Sequence, residues 1–364
     1  MPADQVSLLI GGRSHSHWES YSIDSNLLTP ADAWQVSLGV DRQPIPDSLR
    51  PGAAVQVQIG SDTVLSGLVD DVELSVSRNE HSLRLSGRDG AALLVDCSAP
   101  VFVSRQTDLA EVVNKIVKPL GIAKVRIDGT GQFEKINVEP GETAWDVLAH
   151  AAEASGLWPW FEPDGTLVIG GADITTPVVA TLIMNYAGDG NNLLSLNRSE
   201  SIASRYSEIT VLGQSHGTEI NDGKAAILGK ATDTSLAVYR PHIIIDSEST
   251  NPQIALQRAR KLLADGRLEG YTLTAQVAGH RINQDGLLWT PGQRIQVRSE
   301  PHGIDAIFLL MGRTFRRDRS NGTTTDLLLK EDGVWTLDAH PHTKAHKKVR
   351  TPKGQELEIV DTTE

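Results

Sequence analysis

The adjacent carboxylates Asp70 and Asp71 are the first residues whose types suggest chemistry. Two carboxylates can act as acid and base in glycoside hydrolysis when both flank one bond. The pair lies in the alternating segment from Val64 to Val76, which predicts a strand, and neighbouring residues of a strand point to opposite faces. The two carboxylates therefore cannot face one scissile bond, and we predict no glycosidase pair here.

Two groups of histidines have spacings that a metal ion could use. His15 and His17 alternate along the chain, as do His340 and His342, with His346 close by. Alternate residues share one face of a strand, which suits metal coordination. Both groups lie in irregular segments near the ends of the sequence, which favours ordinary polar residues, and we predict no metal site.

Signatures of a nucleophile or a phosphate-binding loop are weak. Cys97 is the single cysteine, and it follows Val95 and Asp96 in a segment that resembles a strand rather than opening a helix that would lower its pKa. The glycines of Gly11-Gly12 and of the segment 188–192 lack the spacing of a dinucleotide or Walker motif. The sequence predicts no catalytic residue and no cofactor.

The segment Trp158-Pro-Trp160-Phe161 is a candidate platform for carbohydrate, because flat apolar rings stack on sugars. Alternation places Trp158 and Trp160 on one face of a strand and Phe161 on the other. Packing of that face on the preceding helix is the commoner role, and both interpretations stay open here. The other tryptophans are scattered and are expected in cores or interfaces: Trp18, Trp34, Trp145, Trp289 and Trp335.

Composition and charge narrow the class of protein. The chain has 364 residues, with 34 Lys and Arg against 46 Asp and Glu, for a formal charge of -12. This excess of acid opposes a broad nucleic-acid surface. One cysteine rules out an intramolecular disulfide. We expect no secretory signal and no membrane span, because apolar runs of sufficient length are missing.

A basic segment near the end of the chain departs from this balance. Residues 339–355 carry only basic charges, on Lys344, Lys347, Lys348, Arg350 and Lys353. We predict a basic C-terminal tail over residues 337–364 that is mobile and solvated.

Short alternating segments separated by turns dominate residues 1–98. Val55, Val57 and Ile59 alternate with polar residues, and Pro51-Gly52 supplies one of the turns. The pattern predicts a first antiparallel β-barrel domain over residues 1–98.

The apolar period then changes to that of helices. Thr107 or Asp108 can cap a helix whose apolar residues recur at helical spacing, a second helix begins near Thr143, and Pro163-Asp-Gly165 predicts a hairpin. We therefore predict a small α+β domain with two helices and a hairpin over residues 99–180.

Strand character returns in the last large segment. We predict a second β-barrel domain over residues 181–336, with an inserted polar loop at 214–238 and a helix at 251–265 capped by Asn251. The segment from Tyr239 to Asp246 is predicted to be a buried strand. The expected fold class is mainly β with α+β insertions, with two related antiparallel barrels.

An internal duplication supports two related barrels. Three landmarks recur in the same order at similar intervals, and a chance match of all three is far less common than a match of one. The first is Pro51-Gly52 before Val55-Gln-Val57, matched by Pro291-Gly292 before Ile295-Gln-Val297; the second matches Gly67 with Gly312; the third matches Leu83-Arg-Leu85 with Leu327-Leu-Leu329.

A resemblance to a known family extends over nearly the whole chain. It is carried by the run Leu49-x-Pro-Gly-x-x-Val-x-Val-x-Ile-Gly60, by Gly67-Leu-Val-Asp-Asp71, by Ser86-Gly-Arg-Asp-Gly90 with Leu94-Val-Asp-Cys-Ser98, by Arg205-Tyr-Ser-Glu208 and by Tyr239-Arg-Pro-His-Ile-Ile-Ile-Asp246. These motifs resemble the baseplate hub proteins of Mu-like contractile-tailed phages, which are related to the base of the type VI secretion spike.

The resemblance implies a homotrimer in which two barrels per chain form a ring of six around a channel. Such a ring joins a sixfold tail tube to a threefold central spike, contacts other baseplate proteins, lets DNA pass, and has no stable membrane association. We expect it to be assembled in the host bacterial cytoplasm and to reside in the virion baseplate. Edges of the strands Val55–Ile59 and Arg294–Val297 are candidates for pairing between barrels, unless each barrel closes within its own chain.

The sequence therefore predicts a structural, non-enzymatic hub of a contractile tail. The alternative is a tail protein that binds or hydrolyses envelope polysaccharide, based on Trp158, Trp160 and carboxylates such as Asp70 and Glu162.

Overall fold

The computed structural model describes residues 5–39, 46–78, 81–129, 132–154, 157–171, 176–213, 227–246, 249, 251–283 and 286–334. Of the described residues, 49% lie in strands and 16% in helices, which confirms the mainly β class. The predictions for the basic tail, for His340, His342 and His346, for Trp335 and for residues 214–226 fall outside the described residues.

The elements alternate between strand-rich and helix-containing segments. The first segment contains β1 (Val6–Ile10), β2 (Arg13–His15), β3 (Ser20–Asn26), β4 (Ala33–Gly39), β5 (Ala54–Ile59), β6 (Asp62–Val76) and β7 (His81–Asp89). The second contains α1 (Ala91–Asp96), β8 (Val103–Asp108), α2 (Leu109–Ile116), a 3-10 turn (Lys118–Leu120), β9 (Val125–Ile127), β10 (Gln132–Asn137), α3 (Ala144–Ala154), β11 (Trp158–Phe161) and β12 (Leu167–Gly170). The remainder contains β13 (Val178–Met184), β14 (Ser195–Glu200), β15 (Glu208–Gly213), β16 (Ile227–Thr232), β17 (Pro241–Asp246), α4 (Pro252–Gly270), β18 (Tyr271–Ala278), β19 (Arg294–Ser299), β20 (Ile304–Asp318) and β21 (Gly322–Glu331).

One 13-stranded sheet contains two β units. Its order is β14-β18-β21-β20-β3-β4-β7-β6-β5-β1-β2, with β19 paired to β20 and β13 paired to β19. The first unit is β1 to β7, and the second unit is β13, β14 and β18 to β21. A single apolar core fills both units, including Trp34, Leu85 and Phe315.

The second unit repeats the first, which supports the predicted duplication. A bulge shifts the pairing of β6 with β7 between Val69 and Asp71, and a bulge at the matching position shifts the pairing of β20 with β21 between Leu310 and Gly312. The backbone N–H of Gly52 donates to Val69 O at 2.8 Å, and the N–H of Gly292 donates to Leu310 O at 2.8 Å. The Pro-Gly turns therefore fold onto the same place in both units.

The strand correspondence follows from the pairing around these bulges. Strands β3, β4, β5, β6 and β7 match β14, β18, β19, β20 and β21. The first strands differ, because β1 runs antiparallel to β5 whereas β13 runs parallel to β19.

The register of the repeat differs from the sequence prediction. Val55 pairs with Gly67, and its counterpart Ile295 pairs with Phe308, so Gly67 matches Phe308 rather than Gly312. The two glycines have different roles: a Cβ on Gly67 would lie 1.9 Å from Arg88 O, whereas Gly312 lies at the bulge. Leu85 likewise matches Leu327 rather than Leu329, because these residues pair with the equivalent positions of β6 and β20.

The strands proposed as exposed barrel edges are not edges. Strand β5 pairs with both β1 and β6, and β19 pairs with both β13 and β20. The hypothesis that Val55–Ile59 and Arg294–Val297 join barrels is therefore wrong.

The helical module between the units folds through local signals. The Asp108 carboxylate accepts from the N–H of Glu111 at 2.8 Å, as predicted for the cap of α2. Thr143 accepts from the N–H of Asp146 at 3.1 Å at the start of α3. Cys97 corrects the prediction of a strand, because it is the half-buried residue that ends α1.

A third module is inserted between β14 and β18 of the second unit. Its sheet has the order β16-β15-β17, and α4 covers one face, where Ile209, Val211 and Ala259 form a separate core. Asn251 accepts from the N–H of Ile254 at 2.9 Å, which confirms the predicted cap of α4.

Three details of this module differ from the predictions. Strand β16 lies within the predicted loop 214–238, because Ile227, Gly229 and Ala231 alternate against α4. Helix α4 continues to Gly270, beyond the predicted end at residue 265. Strand β17 is exposed on one face rather than buried, with Ile245 78% exposed.

In the described part of the chain, no helix is both long and apolar enough to cross a membrane.

Candidate interaction site at the junction of the two β units

The two β units meet where β3 pairs antiparallel with the second half of β20. The partners run from Gly312 opposite Asn26 to Arg317 opposite Tyr21. Ile23 and Phe315 face each other at the centre and are both fully buried. This junction fuses the units into one sheet, although the strands come from opposite ends of the chain.

A buried group of charges lies beside this junction. The Arg313 guanidinium donates from Nη1 to Ile23 O at 2.9 Å and stacks over the Phe315 ring at 4.0 Å. Burial raises the pKa of Asp32 to about 6, although Arg313 opposes the shift. Burial and the nearby Asp32 carboxylate also raise the pKa of Asp89. Burial lowers the pKa of Arg313 to about 10.

A second polar chain crosses the junction through His280. Thr325 Oγ1 donates its proton to Gly279 O at 2.6 Å, so His280 Nδ1 must be the donor to Thr325 at 3.0 Å. His280 Nε2 then accepts from the Tyr21 hydroxyl at 2.8 Å. Burial, and secondarily the charge of Arg313, lower the pKa of His280 to about 3. The imidazole is therefore neutral, and it joins β3 to the second unit.

The carboxylates considered for catalysis serve the β framework. Asp70 lies at the bulge of β6 and accepts from Arg88 Nε at 2.7 Å, while Asp71 is exposed and accepts from Ser86 Oγ at 3.4 Å. Arg88 also bridges to Asp96 in α1 at 2.6 Å. These contacts hold β6, β7 and α1 together.

The first histidine pair lies at the end of β2. His15 is half-buried, and burial together with Arg13 lowers its pKa. His17 has a left-handed φ of 73° and hydrogen-bonds to Ser16 Oγ at 3.0 Å. Across the residues that the structure describes, no group of three His, Cys, Asp or Glu side chains could hold a metal ion.

The aromatic segment of β11 is engaged in packing. Trp158 Nε1 donates to Leu27 O at 2.6 Å, and its ring meets Trp145 of α3 edge-on at 6.4 Å. The Phe161 ring packs against Gly90, and the Trp160 ring packs against Gly170. The segment thus fastens the helical module to the first β unit, which is the packing interpretation.

A weak nucleophile motif escaped the sequence analysis. Gly213-Gln-Ser215-His-Gly217 has the spacing Gly-x-Ser-x-Gly, and Ser215 lies outside the described residues. A nucleophile elbow joins a strand to a helix. Gly213 ends β15, and the first described element after it is β16, which pairs antiparallel with β15.

The sequence analysis also missed the residues of the junction. Arg313, Asp32 and His280 have no common motif, because they meet only in the folded sheet. The available signal was a charged residue inside the apolar run Leu309-Leu-Met-Gly-Arg-Thr-Phe315.

Four family models match consecutive parts of this architecture. The first β unit matches the N-terminal domain of the Mu phage baseplate assembly protein GpP-like family at residues 5–89. The helical module matches the second domain of the baseplate hub protein gp44-like family at 91–171. The third module matches the third domain of the tail protein NMB1110-like family at residues 205–263. Residues 265–334, which include β18 to β21, match a tail protein C-terminal domain.

Whole-chain relatives agree with these matches. The baseplate hub protein gp44 of Escherichia phage Mu is 26% identical over 325 residues, covering 85% of this chain and 83% of the phage protein. The 43 kDa tail protein of prophage MuSo2 from Shewanella oneidensis is 25% identical, with a TM-score of 0.80 over 91% of this chain and 99% of its own. The tail protein of Neisseria meningitidis MC58 is 41% identical, with a TM-score of 0.81 over 93% of this chain and 99% of its own.

The chain belongs to the baseplate hub family of Mu-like phages. The resemblance in the sequence motifs is thereby confirmed. A hub of this family is a structural component of the phage tail, so the place of this chain is the virion tail. Its relatives are described as tail and baseplate hub proteins, in keeping with a structural role.

Proposed function

We propose that three copies of this hub protein form a ring of six β units that joins a sixfold tail tube to a threefold central spike. The observation that carries the proposal is the duplication, with its matching bulges at Val69 and Leu310. Three chains with two equivalent units each offer six similar positions around one axis.

The places where the two modules are attached support an adaptor with two different faces. Asp89, at the end of β7, leads into the helical module. Its counterpart Glu331 accepts from Arg267 at the end of α4, at 3.1 Å, where the third module rejoins the sheet. Both modules thus leave equivalent ends of their β units, and that face would repeat three times.

The opposite end of each unit carries a matching connection instead of a module. The β6–β7 connection follows Val76, and the β20–β21 connection follows Asp318. Six similar connections around the ring would suit the sixfold tube, which leaves the module face for the spike. DNA would pass through the centre, and the net charge of -12 on each chain disfavours retention of a polyanion. Assembly with tube, spike and other baseplate proteins would take place in the host cytoplasm.

Light scattering combined with electron microscopy tests this function. We expect a mass of three chains of 39.4 kDa each, and ring images with six similar features on one face and three on the other. In the presence of the tube and spike proteins of the same phage, the ring should bind both at once. A particle that stays monomeric, or a ring that binds neither protein, would contradict the proposal.

A further inference from the structure

We propose that the second half of β6 in one chain pairs antiparallel with β14 of a second copy of this chain. The inference rests on the proposed trimeric hub and names the strands that close it. Among the described strands, β14 pairs only with β18, and residues 71–76 of β6 pair only with β7. Each chain thus presents two strand edges with open backbone donors and acceptors.

The junction within the chain provides the template for this contact. Strand β3 is the counterpart of β14, and β20 is the counterpart of β6. Because β3 pairs with the second half of β20 inside one chain, the matching edges β14 and β6 can make the same contact between chains. Every unit would then be joined to the next in the same way.

Backbone contacts on either side fix the correspondence of β3 and β14. Tyr21 pairs with Val36 of β4, and Leu196 pairs with Ala275 of β18. Two residues earlier in each strand segment, the N–H of Glu19 donates to Ser37 O at 2.9 Å, and the N–H of Leu194 donates to Gln276 O at 2.8 Å.

The template also sets the register of the proposed pairing. Phe315 opposes Ile23 in the existing junction, and their counterparts are Leu74 and Arg198. The predicted partners between chains are therefore Val72 with Glu200, Glu73 with Ser199, Leu74 with Arg198, Ser75 with Asn197, and Val76 with Leu196.

Apolar side chains are exposed at both strand edges, as expected if a strand of a second copy covers each edge in the assembly. Leu74 and Val76 lie on the core side of β6, opposite Leu83 and His81, yet they are 49% and 62% exposed. Leu194 and Ile202 flank β14 and are 56% and 49% exposed. At the junction within the chain, Phe315 occupies the place of Leu74 and is completely buried. A second copy would cover these groups in the same way.

Disulfide trapping tests the strands and their register. In a Cys97→Ser background, Ser75→Cys combined with Asn197→Cys places two thiols opposite each other across the proposed contact. Both native residues are exposed, so neither change disturbs the core. The matched control is Ser75→Cys with Ser199→Cys, whose partners would be diagonal, at ~7–8 Å, beyond the usual span of a disulfide.

The inference predicts covalent dimers and closed trimers on non-reducing gels. The yield should be roughly tenfold higher for the opposed pair than for the diagonal control. A particle with trimeric mass that gives no such crosslink, or equal crosslinks in both variants, would overturn this interface and leave the proposed hub intact. A protein that is monomeric by light scattering at all concentrations would instead overturn the hub proposal and this interface together.

Discussion

His280 links the two β units through hydrogen bonds, although a histidine side chain is normally charged at acidic pH. Its Nδ1 donates to Thr325, and its Nε2 accepts from the Tyr21 hydroxyl, which requires the neutral ring. Protonation would remove the acceptor that faces the Tyr21 hydroxyl and leave a buried cation near Arg313. The hydrogen bond from the Tyr21 hydroxyl to His280 therefore persists only while this imidazole stays neutral.

Acid should weaken the fold through His280. The pKa of His280 falls from 6.5 to about 3 on folding, so the stabilising effect of the neutral ring is complete above pH 6.5 and is lost as the pH falls toward 3. We expect the free energy of unfolding of the wild type, relative to His280→Gln, to drop by about 2 kcal/mol between pH 7 and pH 5. Glutamine keeps one acceptor and one donor but does not titrate.

Urea unfolding of both proteins at each pH measures this difference. Comparison with the variant also cancels the opposite contribution of Asp32, whose pKa is raised to about 6 and which therefore favours the folded state as the pH falls toward 3.8. Parallel pH profiles for the two proteins would contradict the prediction, because they would show that folding does not change the pKa of His280.

Helix α4 and strand β18 show how an inserted module is held in a fixed orientation. Lys330 of β21 is buried, and its Nζ donates to Leu268 O at 2.7 Å, to Tyr271 O at 2.9 Å and to Thr272 Oγ1 at 2.7 Å. Leu268 O lies in the last turn of α4, where carbonyl groups have no partner within the helix, whereas Tyr271 O and Thr272 Oγ1 belong to the start of β18. One ammonium group thus ties the module to the β unit.

Replacement of Lys330 should loosen this connection. We expect Lys330→Met to cost about 2 kcal/mol locally and to speed amide hydrogen exchange from Leu268 to Thr272 roughly 30-fold. Lys230→Met is the matched control, since Lys230 makes a partly exposed ion pair with Glu208, and its loss should cost less than about 1 kcal/mol. Equal exchange in both variants would argue against a fastening role for Lys330.

Local signals explain which elements the sequence could predict. The caps at Asp108 and Asn251 were predicted correctly because a cap depends on a few neighbouring residues. Strand β16 was missed because Gly229 hides its pattern. That glycine is required by contact, since a Cβ would lie 2.2 Å from the backbone of Ala255 in α4. Such close approach depends on residues that are distant along the chain.

The register of the duplication and the junction itself required the folded sheet. Gly67 and Gly312 look alike in sequence, yet only the strand pairing shows that Phe308 is the counterpart of Gly67. The pairing of β3 with β20 joins opposite ends of the chain and leaves no local trace. The choice of β5 and β19 as edges failed for the same reason.

The third module is an insertion between β14 and β18. The first β unit forms the corresponding strands, β3 and β4, without such a module. Glu200 pairs directly with Tyr271, so the strands on either side of the insertion already meet as a hairpin. The module has its own core, separate from that of the sheet. The ring should therefore not depend on it.

Removal of the module tests this independence. Residues 201–270 can be replaced by Asn-Gly, which suits a two-residue hairpin turn. We expect the shortened protein to form the same trimer by light scattering and to keep the six similar features in electron micrographs, while the three module features on the opposite face are reduced. Loss of the trimer in a soluble, folded variant would show that the module itself holds the chains together.

The covalent link between the two β units has a consequence for how a ring responds to dilution. The contact of β3 with β20 forms when each chain folds, whatever the protein concentration. In the proposed ring, contacts within a chain alternate with contacts between chains. Only the contacts between chains depend on protein concentration, so half of the contacts do not dissociate on dilution. A closed ring then contains three contacts between chains instead of six, and a ring that dissociates would separate into intact pairs of units.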